Sequence, residues 1–221
     1  MFRFTLTLGL CLALPVALRA QDKEKICRDV ETQPLTPGTW ASYDWTNGGA
    51  TSKMRLAVVG QETHAGVTYY WLEAKIENPQ RPNETMIIQA LLPSLTGDVR
   101  TVVLKSGRQP AMRASGQMVQ MFTKGQGTNF AAEFVRGCRE TELVGWEQVT
   151  VPAGSVRAAH LRHARTGTDT WIQPAQRFPV VKTTMRDNGS MVLTAQGTGA
   201  KSSITETPLD MPSLPGASPP R

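Results

Sequence analysis

Short runs of β-branched and aromatic residues, separated by Gly, Asn and Pro, recur along most of the chain from Thr39 onward. This pattern predicts strands joined by tight turns. The clearest run covers residues 67–77, where Tyr70, Leu72, Ala74 and Ile76 alternate with Glu73, Lys75 and Glu77. Since successive side chains of a strand point to opposite faces, we expect the first set to lie on a core and the second set to meet water.

The strand pattern covers one continuous region. Predicted strands lie at 39–45, 54–59, 67–77, 86–92, 99–105, 141–151, 156–165, 168–173, 180–185, 190–195 and 202–205. Turn signals such as Asn47-Gly48-Gly49 and Asp187-Asn188-Gly189 separate them. Short connections favour antiparallel neighbours, so the sequence predicts a mainly β fold with one antiparallel, hairpin-linked domain from 39 to 206.

Between Gly107 and Gly137 the strand periodicity lapses. Met112, Met118, Met121, Phe122, Phe130 and Phe134 are scattered there among Gly, Gln and Ser. Part of the segment, for example 131–136, has a helical pattern, whereas Gly125 and Gly127 argue against one continuous helix. We therefore expect a short, partly helical excursion between two halves of the sheet.

The two ends of the sequence differ from the middle. Arg3, an apolar run over 6–18 and Ala20 before Gln21 are typical of a secretory signal peptide, which predicts cleavage after Ala20 and a soluble protein that is periplasmic or secreted. Residues 21–38 then form an N-terminal segment. Residues 207–221 are rich in proline and small residues, which predicts a disordered tail.

Removal of the signal peptide leaves two cysteines, Cys27 and Cys138. An oxidising compartment permits disulfides, and only one pairing is possible, so we predict a Cys27–Cys138 bridge. Such a bridge closes a loop of about 110 residues, for which the chain-entropy model gives roughly 4 to 5 kcal/mol before strain. The alternative is a pair of buried free thiols.

The charge pattern does not favour nucleic acid as a partner. The formal charge of +6 falls to about +4 once Arg3 and Arg19 leave with the signal peptide. Lysines and arginines are scattered, with no run of five like charges and no interleaving with aromatic residues. A solvated basic surface explains this distribution.

Two of the three histidines, His160 and His163, end the stretch from Val149 to His163. On a strand this spacing sends the two rings to opposite faces, so we predict that they do not share a metal ion. A tight turn with Ala153 and Gly154 at its tip would pair Glu147 with His160 and Trp146 with Leu161 across the hairpin. We favour this charge pair over a catalytic histidine.

The usual nucleophile, phosphate-binding and dinucleotide motifs are also missing, so we predict neither catalytic residues nor a cofactor.

The C-terminal half carries a recognisable series of motifs: Gly145-Trp146-Glu147, Val151-Pro152-Ala153-Gly154-Ser155, Thr170-Trp171 and Pro179-Val180-Val181-Lys182. With its strand order, this series resembles exported bacterial domains whose fold is similar to that of LolA and LolB, the periplasmic lipoprotein carriers. The resemblance implies a strongly curved, unclosed antiparallel sheet with helices over its concave side and an apolar cavity for acyl chains. It carries over no functional residue of LolA.

Three functions fit these observations. The first is a non-enzymatic carrier or binding domain for a lipid, acyl chain or other apolar ligand. Its ligand-lining residues would be the Met and Phe set, because methionine adapts to variable apolar partners. The same set would serve equally as ordinary core. The second is an envelope protein-interaction or assembly module that uses a sheet edge or the proline-rich tail. The third is an enzyme of unfamiliar type. The sequence does not indicate an oligomeric state.

Overall fold

The computed structural model describes residues 14–116, 118–119 and 136–211. One long helix, α1 (Leu14–Thr32), precedes the strands, and residues 136–139 form a short helical turn. The strands are β1 (Trp40–Asn47), β2 (Ala50–His64), β3 (Val67–Glu77), β4 (Met86–Leu92), β5 (Thr101–Ser106), β6 (Met112–Ser115), β7 (Glu142–Val151), β8 (Gly154–His163), β9 (Thr168–Ile172), β10 (Val180–Thr184), β11 (Ser190–Gly197) and β12 (Leu209–Asp210), with a 3-10 turn at Pro82–Glu84.

These strands form one large curved sheet that does not close into a barrel, which confirms the predicted fold class. Their order is β12-β6-β5-β4-β3-β2-β1-β11-β10-β9-β8-β7. Neighbours are antiparallel except for β12, which pairs with β6 in parallel. β1 lies between β2 and β11 and joins a half built from β2 to β6 to a half built from β7 to β11.

Most predicted strands are confirmed, and those at 67–77 and 86–92 have the predicted bounds. The prediction of a strand at 202–205 is wrong. There the Ser202 and Ser203 groups bond to side chains of the sheet instead of to a neighbouring strand. The sequence analysis also missed α1 and β6. β12 lies at the start of the predicted tail, and residues 212–221 are outside the described part of the chain.

The main core lies between α1 and one face of the sheet. Ile26, Cys27 and Val30 of α1 are buried in the same hydrophobic cluster as residues from both halves of the sheet. Among the largest of these are Tyr43, Leu92, Leu161, Ile172 and Leu193. The predicted Cys27–Cys138 disulfide is present, with the two Cα atoms 5.8 Å apart. It ties α1 to the helical turn that precedes β7.

Residues 200–206, the C-terminal strap, cover the opposite face of β3, β4 and β5. Ile204 packs there against Ile87 and Val103. The strap also buries Glu73, which is 1% exposed, so the expectation that Glu73 meets water is wrong. The alternation of β3 is as predicted, but a segment distant in sequence covers the polar face at this point.

Candidate partner-binding edge

Strand β7 forms one end of the sheet, and β8 is its only neighbour in the sheet order. Among the described residues, its backbone hydrogen bonds run to β8 alone. In an antiparallel pair, alternate residues of an edge strand direct their N–H and C=O groups away from the sheet. Among the described residues, the outward-facing backbone donors and acceptors of β7 therefore have no strand partner.

Two large apolar side chains are exposed on this edge strand: Trp146 is 42% and Val144 is 39% exposed. A cleft of about 230 Å³ separates Trp146 from α1, whose residues Asp22, Ile26 and Asp29 line it. The Arg157 guanidinium lies 5.6 Å from the centre of the Trp146 ring, a cation–π distance that restrains the indole. An exposed aromatic side chain on an edge strand is a suitable anchor for a partner.

The register of the β7–β8 hairpin differs from the prediction. Val151 lies opposite Gly154, so Pro152 and Ala153 form the loop. The predicted pairs are wrong, because Glu147 lies opposite Ala158 and Trp146 opposite Ala159. Gly154 has φ +126°, a conformation that residues with a Cβ rarely adopt, and it begins β8 instead of occupying the turn tip. A β-bulge between Leu143 and Gly145 shifts the pairing again.

Glu147 and His160 nevertheless meet, as diagonal neighbours on one face. Glu147 Oε1 lies 2.8 Å from His160 Nδ1, and Asp169 Oδ1 of β9 lies 2.8 Å from His160 Nε2. The His160 ring is stacked on the Trp171 ring with centroids 4.4 Å apart, and the residue is only 6% exposed. Trp171 Nε1 donates to Glu147 Oε2 at 3.0 Å. With Arg162, these residues form what we call the His160 network.

The network is built around charge-assisted hydrogen bonds. Arg162 Nε donates to Asp169 Oδ1 at 2.7 Å. The bond from Trp171 and the bond to His160 lower the pKa of Glu147, and the bonds to Arg162 and His160 lower the pKa of Asp169. Asp169 in turn raises the pKa of Arg162. Through the contacts of Glu147 with His160 and Trp171, the network attaches β7 to β8 and β9.

The other histidines lie elsewhere. Strand alternation places His163 on the face opposite His160, where its Nε2 lies 3.3 Å from Glu140 Oε2. His64, at the end of β2, lies 3.1 Å from Glu62. In the described part of the chain, no group of three or more His, Cys, Asp or Glu side chains is arranged to hold a metal ion.

The predicted apolar lining is only partly within the described residues. Met112 lies on β6, and Met118 packs against a small cluster of Val102, Ala114 and Val119. Met121, Phe122, Phe130 and Phe134 lie outside the described residues. Their role as ligand-lining residues stays a prediction.

Sequence reasoning missed Asp169 and Trp171 as partners of His160, and Arg162 as the partner of Asp169. A usable signal was present in the turn at Thr166-Gly167 between the two predicted strands. The observed register places His160 opposite Trp171 and Arg162 opposite Asp169. Pairing the strands across that turn would have brought these four side chains to one face.

Comparison with known proteins gives distant structural similarities. No protein-family model and no curated protein matches the chain. A structure of MucB in complex with MucA(peri) is 10% identical, with 85% of this chain and 59% of that chain covered and a TM-score of 0.45. The Pseudomonas aeruginosa MucA/MucB complex is 10% identical, with 83% and 58% covered and a TM-score of 0.36. A DUF1329 family protein from Desulfovibrio piger is 11% identical, with 87% and 95% covered and a TM-score of 0.34.

In each of these two MucA/MucB structures, this chain spans about three fifths of the length of the chain that it matches. The described residues contain no helix that is long and apolar enough to cross a membrane.

Proposed function

We propose that the protein is an exported, non-enzymatic binding module that takes up an extended segment of an envelope protein along β7. The observation that carries this proposal is the β7 edge itself, where backbone groups that have no strand partner in the described part of the chain lie beside the exposed Trp146 and Val144. The signal-peptide pattern and the Cys27–Cys138 disulfide support export, since disulfides persist in oxidising compartments.

In binding by strand addition, the backbone and the side chains of the edge strand have different roles. Main-chain hydrogen bonds to β7 provide affinity, while pockets for alternate side chains provide specificity. Trp146 and the cleft beside α1 form one such pocket. The His160 network holds Glu147 on the other face, so β7 keeps its shape before the partner arrives. An edge that is already ordered loses less conformational entropy on binding.

Site-specific photo-crosslinking tests this proposal. A photoreactive amino acid replaces Val144 in the source organism, and the same residue replaces Met185 as the control. Both positions are exposed to nearly the same extent, 39% and 38%, but Met185 lies outside β7. We expect position 144 alone to link to one defined envelope protein.

The crosslinked segment, made as a synthetic peptide, then provides the decisive measurement. N-methylation of alternate amides removes the backbone donors that strand addition uses, so affinity should fall about tenfold or more in one of the two methylation registers. Trp146→Ala should weaken the unmodified peptide as well. Equal crosslinking at both positions, or affinity that is indifferent to methylation, would contradict the proposal.

A second candidate function is binding of an apolar ligand near β6. The observation that favours it is the partly buried pair Met118 and Met211, which packs against Val102, Ala114 and Val119. A bound fatty acid should stabilise the fold by about 2.7 kcal/mol at 100 times its dissociation constant.

Thermal unfolding with and without a fatty acid or lysophospholipid measures this effect. We expect Met118→Glu to lose the ligand-induced rise of the midpoint, whereas Met185→Glu, at an exposed position elsewhere, should keep it. If no such ligand raises the wild-type midpoint, the methionines are ordinary core residues.

A further inference from the structure

A second, smaller cleft lies on the sheet where β1, β2 and β3 run side by side. Its volume is about 200 Å³, and Ser42, Asp44, Lys53, Arg55, Lys75 and Glu77 are among its lining residues. Ser42 lies opposite Arg55, and Arg55 lies opposite Lys75. Their side chains therefore share one face of the sheet and form a row across three strands.

This row contains an unfavourable pair of charges. Like charges directly opposite each other on neighbouring strands repel. Lys75 forms an ion pair with Glu77, and Lys53 Nζ lies 3.3 Å from Asp44 Oδ1. Among the described residues, Arg55 has no carboxylate partner, although it is half-buried. With three positive and two negative side chains, the cleft keeps one uncompensated positive charge.

Arg55 lies over an aromatic ring. Its guanidinium carbon lies 5.1 Å from the centre of the Trp40 ring, within cation–π range. A cation–π contact does not use the N–H donors of the guanidinium, so its fork stays available to a ligand. An arginine restrained in this way loses little side-chain entropy when an anion binds.

From these features we infer that the cleft binds a phosphate-type oxyanion, with Arg55 as its main ligand. The guanidinium fork matches two phosphate oxygens in a bidentate contact. The Lys75 ammonium adds charge from the opposite strand, and the Ser42 hydroxyl is a further donor at the cleft wall. The bound anion offsets the repulsion between Arg55 and Lys75. This inference is independent of strand addition at β7. The same chemistry fits a free phosphate ion and the phosphate of a lipid headgroup.

Titration with inorganic phosphate, followed by nuclear magnetic resonance in chloride-matched buffer, tests the cleft. We expect saturable shifts of signals from Ser42, Arg55 and Lys75, and a dissociation constant that weakens about tenfold or more in Arg55→Gln. Arg100→Gln is the matched control, because Arg100 also stacks on an aromatic ring, Tyr69 at 5.5 Å, and the change in net charge is identical. This control should bind phosphate as the wild type does.

Vesicles separate the two sources of phosphate. Binding to phosphatidylglycerol vesicles but not to phosphatidylcholine vesicles, lost in Arg55→Gln and reduced by free phosphate, identifies a lipid headgroup. Phosphate binding without vesicle binding identifies the free ion.

Arg55→Lys keeps the positive charge but removes the guanidinium fork, so it should bind phosphate with intermediate affinity. This variant replaces Arg55→Gln if Arg55→Gln does not fold. The inference is overturned if neither phosphate nor phosphatidylglycerol binds, or if the Arg55 variants bind like the wild type.

Discussion

At the scale of single residues, the His160 network decides how firmly β7 is held. Its bonds join three strands by two carboxylates, one imidazole and one guanidinium. Removing Asp169 leaves His160 Nε2 nearly buried without its acceptor and Arg162 without its ion pair. An unsatisfied buried polar group costs about 1–3 kcal/mol, so Asp169→Ala, which removes both acceptor oxygens, should lower the free energy of unfolding by an amount of this order at pH 7.

The same network makes stability depend on pH in a defined direction. The pKa of Asp169 is lower in the folded protein than in the unfolded chain, chiefly because of the Arg162 hydrogen bond. Its contribution is therefore complete above the unfolded carboxyl pKa of about 4 and is lost as the pH falls through the lower folded value. Glu147, whose pKa is also lowered, acts in the same sense.

Urea unfolding at a series of pH values from 7 down to the acid limit measures this dependence. The decline of unfolding free energy below pH ~4 should be shallower in Asp169→Asn than in the wild type. Asp98→Asn, at an exposed position of the β4–β5 connection, should keep the wild-type slope. If unfolding free energy declines equally steeply with pH in all three proteins, protonation of Asp169 does not contribute to acid unfolding.

The sequence predicted part of this network. The contact between Glu147 and His160 follows from placing both on one hairpin, and it survives a register error because diagonal neighbours also touch. Asp169 was not predicted, since its role depends on the next hairpin and on the exact pairing across it. Short-range alternation indicates the face of a residue but not the partner it meets there.

At the scale of elements, the C-terminal strap is held to the sheet by one buried carboxylate. Glu73 accepts hydrogen bonds from Gln89 Nε2 at 2.7 Å, from the Ser203 N–H at 2.9 Å and from the Ser203 hydroxyl at 2.7 Å. No cation is among these donors. The three donors satisfy both buried carboxyl oxygens, and Lys105 with Glu206 fastens the end of the strap by an ion pair.

Glu73→Leu tests the strength of this attachment. Leucine is of similar size but has no acceptor, so the donors from Gln89 and Ser203 lose their buried partner, and we expect the urea midpoint to fall by the equivalent of about 1–3 kcal/mol. Glu84→Gln, which removes an exposed carboxylate, should change it little. If the two variants are equally stable, the strap is held by Ile204 and its apolar neighbours instead.

The strap also shows where prediction at this scale fails. Strands of the sheet were predicted because each carries its own alternation and turn signals. Residues 202–205 of the strap have a strand-like composition, but their hydrogen bonds to the sheet go to side chains and not to a neighbouring strand. β12 pairs with β6, a strand nearly a hundred residues earlier in the chain. The α1 helix was missed because its N-terminal part coincides with the signal-peptide pattern.

At the scale of the whole molecule, the disulfide links the first described element to the second half of the sheet. Cys27 and Cys138 are 111 residues apart in sequence. Opening a loop of this length adds conformational freedom mainly to the unfolded chain, so the double variant Cys27→Ser/Cys138→Ser should lose up to about 4–5 kcal/mol of unfolding free energy.

Two measurements check this prediction. Thiol labelling of the unreduced, denatured protein should find no reactive cysteine among residues 21–221, and urea unfolding should give the loss in the double variant. The reduced wild type serves as the control and should match that variant. Labelling of both thiols, or a double variant as stable as the oxidised protein, would contradict it.

The order of the strands gives the disulfide a further consequence. Apart from the β1–β11 and β12–β6 pairs, every strand neighbours the one before or after it in the chain. A protease that cut the chain between β6 and Cys138 would thus separate the meander of β1 to β6 from the meander of β7 to β11. Cys27 lies in the first piece and Cys138 in the second. The cut protein would stay covalently joined, migrating as one band on a non-reducing gel and as two bands after reduction.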